Sequence, residues 1–542
     1  MIKPTFHFNT FIKLSHLFKK IVGRKYPQLP PPINQPQKPI SFVVVRFSDE
    51  YLHNILKSEC LKNPINELVT VDNTRNLYYD NLCEAIAVGI SKAHHKLIAV
   101  VHEDVVLPHG WQSWFEITLE SLEMVDPNWG VLGSVGWTND NKVFGHWSDP
   151  HRYANTFSDK RFHSVDRLDE QFLIFNRDRT IDLDRNLPGI HHIGRDVVLV
   201  ARQRGMRAYA INAPTIHKYA DRNDNIIYSC KYFRKLFYRE TFTYQADRAC
   251  CNEYIMHKWP QLQIQEYKPP KLTLPDMDDA LRHKLDNPVV LLARGGSGSR
   301  LLSILGQDLG LFLGNALNVA GDSLEMVLPI YQGIIEKYHC KSSWQKQQIV
   351  PRLRTAAASM LLKKGHTTGL WGFKLPESLL LLPEIRTAFP QAHFLHMVRD
   401  PVTTCLRRTH MTARLDNNIG RITLPLAYDD IKRPRQMILK DSPAMHMAYT
   451  TIHQLQLVDS QLAEIDSKRQ MRIRFEDMIE KPTDCVERAS SWLELTRQKH
   501  TLERVVDPER VQKPKIIYPP AVAEKVKNLL YSLRMDYGYI QR

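Results

Sequence analysis

The sequence predicts an α/β protein built in two parts, and three observations predict it. Between residues 41 and 101, apolar runs of strand length alternate with a helical pattern, and each run stops at a polar residue. Just past mid-chain, Val289-Val290-Leu291-Leu292 breaks into Ala293-Arg294-Gly295-Gly296-Ser297-Gly298-Ser299-Arg300, and an apolar pattern resumes through Ile304, Leu305, Leu309 and Leu311. That reads as strand, tight loop and helix. A chain of 542 residues is also too long for one ordinary core.

Taken in order, residues 1–26 carry Lys3, Lys13, Lys19, Lys20, Arg24 and Lys25 without an acidic residue, while Phe11, Leu14, Phe18 and Val22 recur at helical spacing. Such a segment can lie on an anionic membrane or pack on its own chain. Six prolines between Pro27 and Pro39 make a stiff spacer, so residues 1–40 are set apart as a basic segment with a Pro-rich tether.

The first globular part is expected over 41–275. Its strands are Ser41–Phe47, Leu68–Val71 and Leu97–Val101, with a helix over Leu82–Ala93 between the last two. Strands separated by helices indicate a parallel sheet whose ligands lie beyond the carboxyl ends of the strands, where Asp72 and Asp104 stand. A buried strand that releases Asp104 into a crevice can present a hard oxygen ligand to a divalent ion, or the acid can simply cap the strand end. A helical pattern through Phe233, Leu236, Phe237, Tyr244 and Tyr254 closes this part, and 276–287 reads as a charged linker to the second part, 288–542.

His102-Glu103-Asp104-Val105-Val106-Leu107-Pro108, with Trp129–Gly133, Val165–Glu170, Leu187–His192, Gly194–Leu199 and Ala213–His217, resembles the family 2-like glycosyltransferases of the GT-A (Rossmann-like) fold over about residues 41 to 225. The resemblance implies a nucleotide-sugar domain holding Mn2+ or Mg2+ through Asp104 and His217, with Asp72 at the nucleotide base or ribose. Asp196 is the implied base, and Asp169 and Glu170 are in reserve. His102 stands where the first aspartate of the usual Asp-x-Asp motif would be, so metal binding is expected to rest mainly on Asp104.

A loop of Gly and Ser at a helix N-terminus aims several amides at one anion, or packs a strand on a helix as a plain turn. The Walker lysine is absent, since Ser299 and Arg300 follow Gly298, which argues against an ATPase. Ser297-Gly298-Ser299-Arg300, followed by Trp371–Glu377, His393–Pro401, Ile473–Asp477 and Asp536-Tyr537-Gly538-Tyr539, resembles the P-loop-like α/β fold of sulfotransferases that use 3′-phosphoadenylyl sulfate. The resemblance implies a 5′-phosphosulfate loop of Arg294, Gly296, Ser297, Gly298, Ser299 and Arg300, and a 3′-phosphate site at Arg399 and Arg407. Arg294, Arg300 or Lys374 is expected to supply the positive charge over the leaving phosphate, and of the bases that such a transfer needs Glu377 is the first candidate, with His410 in reserve. Gly296 replaces the family's lysine before Ser-Gly, and Arg407 replaces a serine.

The formal charge of +15 is spread along the chain without an aromatic-studded recognition motif, so no nucleic-acid partner is expected. Eight cysteines without CxxC pairs point to a reducing compartment. No apolar run approaches the roughly 18–20 residues of a membrane span. The expected protein is a cytoplasmic bifunctional transferase, peripheral at the inner membrane face where residues 1–26 engage lipid, acting on a glycan or glycoconjugate acceptor. The alternative is that one half has lost catalysis and serves as a glycan-binding or scaffold module.

Overall fold

The computed structural model describes residues 29, 36–148, 153–158, 160–179, 182–217, 238–262, 264, 267–363, 369–407, 409–496, 501–506 and 518–541. The basic segment 1–26 and most of the Pro-rich spacer lie outside them. Two compact units divide the chain: the described parts of Met1–Thr74, Leu82–Arg185 and His192–Arg222, and those of Arg75–Asn81, Asn186–His191 and Asn223–Arg542. No helix among the described residues is long and apolar enough to cross a membrane.

In the first unit, β1 (Ile40–Arg46), β2 (Glu67–Asp72) and β3 (Leu97–Val101) are parallel; the apolar runs of β1 and β3 are buried, while β2, at the sheet edge, buries only Val71. The sheet is nevertheless mixed. Its seven strands run β2-β1-β3-β11-β5-β12-β9, completed by β5 (Trp129–Gly133), β9 (Phe162–Val165), β11 (Phe172–Asn176) and β12 (Arg207–Ile211). β11 lies antiparallel between β3 and β5, and β9 lies antiparallel to β12. Neither reversed strand is preceded by a crossover helix, which a parallel return needs. A second, six-stranded sheet contains β4 (Val105–Val106), β6 (Val135–Trp137), β7 (Val143–Ser148), β8 (Tyr153–Asn155), β10 (Arg167–Leu168) and β13 (Thr215–His217). Ahead of β1, the amides of Gln37 and Lys38 donate to the Glu116 carboxylate, which ties the end of the spacer to this unit.

The second unit is built on four parallel strands in the order β15-β14-β16-β17: β14 (Val289–Ala293), β15 (Gly372–Lys374), β16 (His393–Val398) and β17 (Gln470–Arg474). The expected boundary near residue 275 falls inside this unit. The helix Tyr238–Lys258 buries Ala246 and Cys250 in one core with Met326, Val327 and Ile330 of the helix Leu324–Tyr338. Residues 276–287 are no free linker either. Asp278 caps the helix Asp279–Asp286 by accepting from Leu281 N at 2.7 Å, and Leu281 and Leu285 enter the same core.

An ion network is buried behind that sheet. Arg352 reaches both oxygens of Glu253, at 3.1 and 2.7 Å, and Glu336 Oε1 at 2.8 Å. One guanidinium therefore faces two carboxylates, and burial pushes the Glu336 carboxyl up to about 8.

Candidate functional site

In the first unit, β3 ends at Val101 and the chain turns at once, with Val105 N donating to His102 O at 3.1 Å. β4 then pairs antiparallel with β13, setting His217 opposite Val105. That register brings His217 Nε2 within 3.2 Å of Asp104 Oδ1. His102 completes the group: one ligand atom from each of His102, Asp104 and His217 lies within 4.8 Å of the others.

Burial alone would raise Asp104, but the hydrogen bond and charge of His217 and the charge of His102 hold its carboxyl below its ordinary value. Burial pushes His102 below its ordinary value, against the opposing pull of the Asp104 charge. Its Nε2 is shielded from solvent and has no hydrogen-bond partner among the described residues. Two imidazoles and a carboxylate with one orphaned nitrogen fit a divalent ion. Glu103 points elsewhere and accepts from Phe47 N at 2.8 Å and Ser48 N at 3.3 Å. The tight turn after β3 thus brings His102 beside Asp104, a closeness that the motif His102-Glu103-Asp104 does not reveal by itself.

The other expected residues of this unit differ in exposure: Asp72 is exposed and already engaged, while Asp196 is buried. Asp72 ends β2 with Oδ2 on Arg46 at 2.8 Å and Oδ1 on Thr74 N and Oγ1 at 3.0 and 2.6 Å. Asp196 is buried in the first turn of the helix Ile193–Gln203, whose Gly194 packs on Leu168 and Asp169. Asp169 is near enough for its charge to act on His102. Burial, reinforced by Asp169, pushes Glu170 up to about 8.

In the second unit every strand delivers a residue to the carboxyl edge of the sheet. β14 opens into Arg294–Ser299, β15 ends at Lys374, Arg399 follows β16 and Phe475 follows β17. The loop turns on Gly296 (φ +90°) and Gly298 (φ +94°), a region that favours glycine. Ser297 N is turned inward to Arg294 O at 3.2 Å, and Ser297 Oγ donates to the same oxygen at 2.6 Å. Among the described residues, no acceptor pairs with the amides of Gly296, Gly298, Ser299 or Arg300. Arg300 is exposed and begins the helix Arg300–Asp308.

Arg399 is 5% exposed, and its guanidinium lies 4.2 Å over the Phe475 ring. Its Nε and Nη1 find no acceptor among the described residues. Burial, then the charge of Arg407, pushes it below its ordinary value. Arg407 is exposed at the end of the helix Pro401–Arg407. Phe475 also abuts the loop, since a Cβ on Gly298 would fall 2.4 Å from its ring. Sequence reasoning read Phe475 only as part of a motif.

Two expected cations serve the scaffold. Arg294 is buried behind the loop and donates to Gly295 O at 2.9 Å, Thr450 Oγ1 at 2.8 Å and Met447 O at 3.3 Å. Burial pushes it down to about 10. It therefore braces the loop from behind. Lys374 is wholly buried, 2.5 Å from Asp322 Oδ1, 2.8 Å from Ala320 O and 3.4 Å from Ser299 Oγ. Its charge is already compensated.

The two expected bases come together. His410 Nε2 lies 3.8 Å from Glu377 Oε1, and Glu377 Oε2 accepts from Tyr331 at 3.3 Å. The His410 ring sits on Gly295, where a Cβ would come within 2.0–2.4 Å of three of its atoms.

A glycine loop and a buried arginine with two nitrogens lacking acceptors among the described residues thus stand at the ends of adjacent parallel strands, an arrangement suited to an anion. Residues 328–499 match the family described as "Sulfotransferase family". The match begins past the loop and includes Lys374, Glu377, Arg399, Arg407, His410 and Phe475. Within the second unit, residues 328–499 thus carry the sulfotransferase-family similarity. Similar solved structures include "Sulfotransferase Domain from the Curacin Biosynthetic Pathway" (14% identity, 45% of this chain and 98% of that chain, TM-score 0.27). Sulfotransferase STF9 from Mycobacterium avium is 11% identical, over 54% of this chain and 83% of that chain, with TM-score 0.32. "Mannosyltransferase PcManGT from Pyrobaculum calidifontis in complex with GDP-Man and Mn2+" is 12% identical, over 44% of this chain and 72% of that chain, with TM-score 0.24. A curated protein described as "ATP synthase subunits region ORF 6" from Fuscovulum blasticum is 30% identical over 124 residues. These are 22% of this chain and 49% of that protein, so the chain spans about half the length of the curated relative it matches.

Proposed function

We propose that the second unit transfers a sulfuryl group from 3′-phosphoadenylyl sulfate to a hydroxyl of a glycan or glycoconjugate. The carrying observation is Arg399, whose buried guanidinium keeps two nitrogens without acceptors among the described residues, one strand from the glycine loop. Such a group is matched to a phosphate dianion. The loop amides hold the 5′-phosphosulfate while Arg399 and Arg407 take the 3′-phosphate. An acceptor oxygen attacks sulfur in line, the bond from sulfur to the phosphate oxygen breaks, and the acceptor proton passes to the Glu377–His410 pair. The products are a sulfate ester and adenosine 3′,5′-bisphosphate. With Lys374 held by Asp322, loop amides and Arg300 carry the charge of the leaving phosphate.

The first unit, on this reading, is a GT-A glycosyltransferase that uses a nucleotide sugar with Mn2+ or Mg2+. His102, Asp104 and His217 would hold the ion, which would supply positive charge against a diphosphate leaving group. Asp196 is the base. Glu170 holds its proton to about pH 8 and is a poor acceptor near neutrality.

Thermal-shift titration of the intact chain tests both halves. Asp104→Ala and His102→Ala should each abolish or weaken the shift with MnCl2 plus a nucleoside diphosphate and leave that with adenosine 3′,5′-bisphosphate. Arg399→Ala should do the reverse. A cross-effect, or no response to either ligand, refutes the two-site reading.

A further inference from the structure

The residues next to Arg399 are acidic, yet they do not neutralise it. Asp400 follows it directly, and Glu476 follows the Phe475 on which it stacks. Either carboxylate could close on the guanidinium, since both are near enough for their charges to act on it. Both are engaged by one segment instead, although Asp400 also accepts from Val402 N at 3.1 Å and Thr403 Oγ1 at 3.2 Å of the helix that follows it. Arg534 Nε and Nη2 reach Asp400 Oδ1 and Oδ2 at 3.0 and 3.4 Å. Tyr539 donates to Glu476 Oε2 at 2.7 Å, and Glu476 Oε1 accepts from Asp400 N at 3.2 Å.

The same segment is firmly seated. Leu530, Leu533 and Tyr537 share a core with Val398 and Val402, the residues flanking the Arg399 turn. Arg474 lies 4.4 Å over the Tyr539 ring, and Arg472 lies 4.8 Å over Tyr537, whose hydroxyl reaches Asp459 at 2.7 Å. Two tyrosines thus sit on two arginines of β17 and each grips an acid.

Resting on the donor reading above, we propose that the segment Tyr531–Tyr539 is a positioning element that holds Asp400 and Glu476 away from Arg399, reserving its guanidinium for the 3′-phosphate of the ligand. Arg534 and Tyr539 touch no substrate in this scheme. They act by occupying competitors. A carboxylate released beside Arg399 forms an internal ion pair, and the incoming phosphate must then break it.

The test is the preference of the full chain for adenosine 3′,5′-bisphosphate over adenosine 5′-phosphate, measured by calorimetric titration. Arg534→Ala should cut that preference by about tenfold or more, the scale of one charge-assisted hydrogen bond. Adding Asp400→Asn, which keeps an oxygen to accept from Val402 N, should restore it to within about threefold. Tyr539→Phe and its partner Glu476→Gln form a gentler second pair with the same expectation. Loss without rescue in both pairs means the segment merely supports the fold, and the inference is overturned. An unchanged preference in Arg534→Ala and Tyr539→Phe overturns it as well. If the unaltered protein shows no preference, the donor reading itself fails and takes this inference with it.

Discussion

Gly298→Ala separates backbone strain from a specific contact. At φ +94° an L-residue costs on the order of 1–2 kcal/mol. The added Cβ would also fall 2.4 and 2.8 Å from two Phe475 ring carbons, well inside contact distance. That ring carries the Arg399 guanidinium at 4.2 Å, so any retreat disturbs the arginine. Overpacking of this kind costs about 1–3 kcal/mol, giving a total of about 2–5 kcal/mol. Two controls isolate the parts. Gly310→Ala has φ +77° with nothing within 4 Å, and Gly296→Ala has φ +90° in the same loop with only Met447 Cε at 4.0 Å. Each should lose only the strain cost. Denaturant unfolding is followed on the intact chain, using the transition that adenosine 3′,5′-bisphosphate shifts, because two units need not unfold together. Binding of that nucleotide is measured alongside. If Gly298→Ala matches Gly296→Ala in both stability and affinity, the Phe475 ring is not the link between loop and arginine, and the reasoning fails.

Two further expectations follow from burial. Gly295→Ala should displace His410, whose ring atoms lie 2.0–2.4 Å from the new carbon, and lower turnover by about 100-fold, the contribution of one general base. An unchanged sulfuryl-transfer rate in single-turnover assay argues against the Glu377–His410 pair. Glu336 titrates at about 8 in the folded chain, above the roughly 4.3 of an ordinary glutamate. The folded state thus binds this proton more tightly, so its contribution to stability is full below that lower value and is lost as pH rises toward 8. Glu336→Gln should flatten that decline in denaturant titrations from pH 5 to 8. A variant that declines as steeply as the parent places the uncompensated charge elsewhere.

What the sequence made legible was local. The run Val289–Leu292 ending in Gly and Ser could be little else than a strand feeding a loop and helix, and Arg399 after His393–Val398 repeated the signal one strand over. Asp104 and His217 were chosen separately, and β4–β13 pairing puts them side by side. What stayed hidden depends on partners distant in sequence. Lys374 looks like a free cation until Asp322, 52 residues away, is found on it, and Arg294 looks like a phosphate ligand until Thr450 and Met447 claim it from behind. The membership of Tyr238–Lys258 in the second unit was likewise invisible, because its composition does not say which core receives Ala246 and Cys250.

The same contrast explains why Arg399 stands out among the chain's basic residues. A buried arginine usually brings its own carboxylate, as Arg352 does with Glu253 and Glu336. Arg294 places both terminal nitrogens on neutral oxygens and leaves only Nε without an acceptor among the described residues. Arg399 is buried among acids that other residues hold, with two nitrogens left over. Leaving such nitrogens unpaired costs about 1–3 kcal/mol or more, a cost that a structural role does not require and that a bound phosphate removes. Its position one strand from a glycine loop with open amides supports the proposed ligand, one carrying two anionic groups, each met by a different strand end.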